Sequence, residues 1–93
     1  MREITIPLVH PAYPHHFPGN PVVPGVVTLG CVARACAKLG FDIETIRRCK
    51  FRAQVRPGQV LALRITESSA DEWRVSLIAA GETFFNASLT RRG

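Results

Sequence analysis

His16 has the reactivity to move a proton near neutral pH, because imidazole is the side chain whose ordinary pKa lies there. It opens HFPGNPVVPGVVTLG, residues 16–30, in which three prolines and three glycines lead into an apolar, helix-like run. By residue type alone, a lone loop histidine is more often satisfied by backbone groups than set up for chemistry. His10 and His15 stand close by, but no carboxylate or cysteine accompanies the three locally, so the pattern favours no metal site. Cys31, Cys36 and Cys49 are odd in number and contain no Cys-x-x-Cys pair. That favours neither a disulfide framework nor zinc, and it points to a reducing cytoplasm.

A second candidate group is basic. Arg48, Lys50 and Arg52 alternate with Cys49, Phe51 and Ala53, and the 93 residues carry a formal charge of +5. Basic domains collect phosphates by counterion release. With one Tyr and one Trp, however, and no interleaving of aromatics with Arg and Lys, the pattern of a single-strand nucleic-acid platform is missing. The charge reads as attraction to an acidic partner, or as a solvated surface. No apolar run approaches the roughly 18 residues of a membrane span. The opening MREITIPLVH alternates polar and apolar residues, unlike a secretion signal.

These residues need a scaffold, and the periodicity supplies one. Glu3 to Leu8 alternates as a strand, and HPAYPHHFPGNP is too rich in proline to be other than a structured loop. The pattern predicts a helix from about Pro24 to Leu39, with proline at its start and Gly40 as its C-cap. Gly30, Arg34 and Lys38 form one i, i+4 stripe on this otherwise apolar cylinder, so most of the helix surface should be buried. Ile43 to Val55 reads as a strand, RPGQ as a turn, and Leu61, Leu63 and Ile65 as the next strand. Trp73 to Ala79 follows, then a turn at Gly81-Glu82 and a last strand through Phe85, Ala87 and Leu89. The whole chain, 1–93, is expected to form one α+β domain of the hotdog type, an antiparallel sheet wrapped around one long central helix. At this length a second chain would enlarge a small core.

The run HPAYPHHFPGNPVVPGVVTLG resembles the active-site segment of the β-hydroxyacyl-acyl-carrier-protein dehydratases, with a histidine in H-F-P-G-x-P followed by P-G-V and the central hotdog helix. IRRCKFRAQVRPGQVLAL resembles the same family's K-F-x-x-x-V-x-P-G strand and turn. Within the family the loop is similar to that of small stand-alone dehydratase-like proteins from bacterial aryl-polyene, polyketide and fatty-acid clusters. The resemblance implies elimination of water from a 3-hydroxyacyl thioester. That chemistry needs a base for the C2 proton, a donor for the enolate-like thioester oxygen, and an acid for the departing 3-hydroxyl. His16 is then the base and the Gly25 amide the oxyanion donor. Phe17, Gly19, Val22 and Val23 shape the acyl pocket, although such apolar side chains also read as ordinary core. No cofactor is implied.

The chain departs from the family at Gly30. Fourteen residues after the motif histidine the family carries Asp or Glu, which assists the hydroxyl across a dimer interface; here the position is glycine. Glycine offers no acid and costs a helix interior about 1 kcal/mol relative to alanine. Either something packs closely against it, or the acid has been lost. Thr28 and Cys31 point roughly 200° and 100° away from the Gly30 direction and are poor replacements. Arg34, one turn on, can lean back over Gly30, because helical side chains point toward the N-terminus. A guanidinium is no general acid near neutrality. His15 also stands where the family usually has a small residue.

The expected protein is a 3-hydroxyacyl-acyl-carrier-protein dehydratase-like member of fatty-acid or polyketide (aryl polyene) biosynthesis. It is a homodimer or one half of a heterodimer, and it takes its substrate on phosphopantetheine of acyl carrier protein, with Arg48, Lys50 and Arg52 recruiting that carrier. The alternative is a catalytically impaired hotdog subunit acting as a heterodimer partner or acyl-carrier-binding module. A hotdog thioesterase is a third reading, although that chemistry also generally relies on a helix carboxylate.

Overall fold

A computed structural model describes residues 2–8 and 23–92. The elements run β1 (Arg2–Thr5), α1 (Gly25–Lys38), β2 (Ile43–Phe51), β3 (Val60–Glu67), β4 (Glu72–Ala79) and β5 (Glu82–Arg91). The strands form one antiparallel sheet in the order β1-β3-β4-β5-β2, with β1 and β2 at its edges. The hotdog architecture expected from the sequence is the one observed.

The helix begins and ends where its punctuation requires. Pro24 is its N-cap, with no side-chain capping bond. At the other end Gly40 takes φ +79, while its amide donates to Ala37 (3.0 Å) and the Phe41 amide to Cys36 (2.9 Å). This paired closure needs a left-handed residue, which glycine supplies without strain.

Alternation in the strands sets the core. Val75 pairs with Ala87 and Leu77 with Phe85 across β4 and β5, and all four side chains are buried. They meet Val27, Val32, Ala35 and Cys36 of the helix in one cluster that also takes in Ile6 and Leu61. Complete burial of an aliphatic or aromatic side chain contributes roughly 1.5–3 kcal/mol, so this seam between sheet and helix holds the fold.

Four sequence expectations are corrected. The second strand stops at Phe51 rather than Val55, because the Arg52 and Ala53 amides both turn to the Phe84 carbonyl (2.8 and 3.3 Å) and the Val55 carbonyl instead accepts from Val23 (2.9 Å). The first strand ends at Thr5, although the Ile6 amide still reaches Gln59 at 2.9 Å. The β4–β5 turn is Ala80-Gly81, both at positive φ (50° and 77°), the two-residue hairpin geometry that matches strand twist. Finally, the helix is not buried on most of its surface. The sheet covers the side carrying Val27, Thr28, Cys31, Val32, Ala35 and Cys36, while Val26 is 73% exposed and Ala33 and Ala37 face outward.

Candidate active site at the start of the helix

The chain enters α1 through Val23 and Pro24, and the Val23 amide is tied to the Val55 carbonyl at 2.9 Å. The segment that follows β2 is thereby fastened to the chain just ahead of the helix. The first amides of a helix have no intrahelical acceptor. Here Val27 and Thr28 donate to the Pro24 carbonyl at 3.0 and 3.3 Å, and the Gly25 and Val26 amides have no acceptor among the described residues. Unpaired N–H groups and the helix dipole together make this end receptive to negative charge.

Phe51 stands against that end. A Cβ placed on Gly25 would lie 3.0 Å from Cζ of the Phe51 ring and 3.3 Å from Cε1 and Cε2. Glycine therefore permits a closer approach than a Cβ would allow without the ring giving way, and the neighbour is the aromatic residue of the K-F motif. The ring also packs on Phe85, with centroids 4.9 Å apart, yet Phe51 remains 50% exposed. Val23, Gly25, Thr28, Phe51 and Val55 line an open pocket of about 360 Å³. Val23 is at once a pocket wall and a member of the core.

Gly30 presents a different environment. A Cβ there would meet only Arg34 Nη1, at an ordinary contact distance of 3.5 Å. No backbone or core side chain among the described residues crowds the position, so close packing by those residues does not account for the glycine. Arg34 leans back as its helical direction predicts, and Nη2 donates to Cys31 Sγ at 3.5 Å. Among the described residues the space beside Gly30 is thus open, with a guanidinium next to it.

The basic strand differs in detail from strict alternation. Arg47 pairs with Ser88 and Lys50 with Asn86, so Arg48 and Cys49 together oppose the single residue Ala87. Arg48 takes φ +55 at this bulge. Both neighbouring arginines reach Glu72: Arg47 Nη2 lies 3.3 Å from Oε2, and Arg48 Nη1 3.8 Å from Oε1. Lys50 and Arg52 are exposed and have no ion-pair partner among the described residues. Sequence reading missed Arg47 as a member of this patch, because it assumed an unbroken strand. It also missed Phe51 as the neighbour of Gly25; K-F was visible as a motif, but its contact with a residue 26 positions earlier was not.

His16, Phe17, Gly19 and Val22 lie outside the described residues, as do His10 and His15. The three cysteines are free; Cys31 and Cys36 are buried and Cys49 is exposed, and burial pushes the Cys36 thiol pKa up.

With this geometry in place, the relatives give the class. Residues 2–86 match the model of the family described as ApeI-like, ApeI dehydratase, and the chain belongs to that dehydratase family. Among curated proteins, the 3-hydroxyacyl-acyl-carrier-protein dehydratase FabZ of Alkaliphilus metalliredigens is 40% identical over 65 aligned residues, covering 59% of this chain and 44% of its own. FabZ of Levilactobacillus brevis is 45% identical over 60, covering 54% of this chain and 40% of its own. The matches therefore span less than half the length of these relatives. Among solved structures, the dehydratase heterocomplex ApeI:P from Xenorhabdus doucetiae superposes with a TM-score of 0.68 at 22% identity, covering 98% of this chain and 84% of that one. An uncharacterized protein from Erwinia carotovora subsp. atroseptica gives 0.67 at 19% identity, covering 97% and 79%. No helix among the described residues is long and apolar enough to cross a membrane.

Proposed function

We propose that this chain takes part in dehydration of 3-hydroxyacyl thioesters carried on acyl carrier protein, in fatty-acid or aryl-polyene type biosynthesis, in a reducing cytoplasm. His16 removes the C2 proton. The Gly25 amide, at the unpaired start of α1, receives the charge that develops on the thioester oxygen. The observation that carries this reading is the helix entry itself: a Gly25 amide without an acceptor among the described residues, in a pocket walled by Phe51, four residues after the H-F-P-G-N-P sequence.

Departure of the hydroxyl needs an acid that the chain lacks. Glycine at position 30 favours a composite site in which a second, non-identical hotdog chain brings its own carboxylate to this chain's His16. The outward apolar helix residues Val26, Ala33 and Ala37 give such a chain a surface to cover, and the heterocomplex among the structural neighbours is a precedent for that assembly. A homodimer working alone is the competing reading. Incubation with 3-hydroxyacyl-acyl carrier protein, followed by mass spectrometry, separates them. The proposal expects little water loss with this chain alone and full water loss with a co-encoded dehydratase homologue. Loss of the acyl group instead would indicate a thioesterase, and no change in either arm would leave only a carrier-binding module.

A further inference from the structure

The Thr28 hydroxyl is the one buried side-chain oxygen or nitrogen among the described residues without a hydrogen-bond partner. The residue is 1% exposed and lies in the first turn of α1, where a threonine ordinarily bonds back to the carbonyl four residues earlier. That carbonyl belongs to Pro24 and already accepts from the Val27 and Thr28 amides. An orphaned buried hydroxyl is costly and calls for a physical reason. Two features supply one. Thr28 lines the same pocket as Gly25 and Phe51, and it follows Gly25 by three residues, so the two share one side of the helix. The Gly25 amide is also without an acceptor among the described residues.

We infer that Thr28 is a binding residue of this pocket, its hydroxyl donating, together with the Gly25 amide, to the carbonyl oxygen of an acyl thioester. The inference rests on the thioester reading proposed above and adds a second donor to it. It does not make Thr28 a substitute for the missing acid, because a threonine hydroxyl does not give up its proton near neutrality. Phe51, half exposed and packed against Gly25, is the pocket wall that must shift to admit the ligand.

Thr28→Val keeps the shape of the side chain and removes the hydroxyl, whereas Thr28→Ser keeps the hydroxyl. The probe is butyryl-pantetheine, a saturated thioester that cannot lose water, so binding is read separately from turnover. Thr28→Val should weaken its binding about tenfold, the usual worth of one hydrogen bond, while raising the thermal midpoint, since an unpaired buried polar group is replaced by a methyl. Thr28→Ser should bind as the parent does. Unchanged binding by Thr28→Val, or a lowered midpoint showing that the hydroxyl is structurally bonded, overturns the role of Thr28 and leaves the thioester reading standing. Failure of the unaltered chain to bind butyryl-pantetheine overturns both.

Discussion

Arg34 Nη1 lies 3.5 Å from the point that a Cβ on Gly30 would occupy. A cation therefore stands next to the position where the resemblance implies a carboxylate, one helical turn away on the same stripe. A carboxylate introduced there would be paired with the guanidinium and held ionised, because an adjacent opposite charge lowers a carboxyl pKa. Ionised, it has no proton to give the departing hydroxyl.

Gly30→Glu alone should consequently restore less dehydration than Gly30→Glu combined with Arg34→Gln. The ranking is checked by the rate of water loss from 3-hydroxyacyl-acyl carrier protein. Equal rates in the two variants would remove Arg34 from any influence on this position.

Gly30→Ala should stabilise the fold by about 1 kcal/mol, since it relieves the helix penalty of glycine and the new Cβ meets only the movable tip of Arg34. Gly25→Ala should behave in the opposite way. Its Cβ would press on the Phe51 ring at 3.0 Å, shifting the ring and closing the approach to the helix start. Denaturant unfolding measures the first effect, and butyryl-pantetheine binding the second.

The limits of the helix were legible because Pro24 and Gly40 are restricted by covalent geometry and by φ, and such restrictions act locally. The core faces of β3, β4 and β5 were legible for the same reason, as alternation is a property of the strand itself. The bulge in β2 was not, because Arg48 adopts φ +55 without a glycine or asparagine to announce it. The hairpin was displaced by one residue for a related reason, since Ala80 takes a conformation alanine seldom adopts. At the site, Gly30 could be read in the motif as the position where the resemblance implies an acid. The openness of that position and the contact between Gly25 and Phe51 arise from packing of distant segments, which one sequence does not encode in its spacing.

Within the basic patch the charges are unequal. Arg47 and Arg48 share Glu72, while Lys50 and Arg52 have no ion-pair partner among the described residues. Lys50→Glu and Arg52→Glu should slow association with acyl carrier protein at low salt more than Arg48→Glu does, and added salt should compress the differences. Stopped-flow association rates decide this, and identical rates for all three variants would make the strand a solvated surface only.

His16→Ala should lower thioester chemistry by about a hundred- to ten-thousand-fold, the usual contribution of a positioned base, while the circular dichroism of the folded chain stays unchanged. Undiminished turnover in this variant would exclude His16 as the base.

Proton removal at C2 and departure of the hydroxyl are separate requirements, and on the proposed reading this chain serves the first through His16 and leaves the second to a partner. Incubating the chain alone with 3-hydroxyacyl-acyl carrier protein in deuterium oxide, and reading the acyl group by mass spectrometry, distinguishes the two steps. Uptake of deuterium at C2 without loss of water, abolished by His16→Ala, is the expected result. Full water loss by the chain alone, or no exchange at C2, would contradict it.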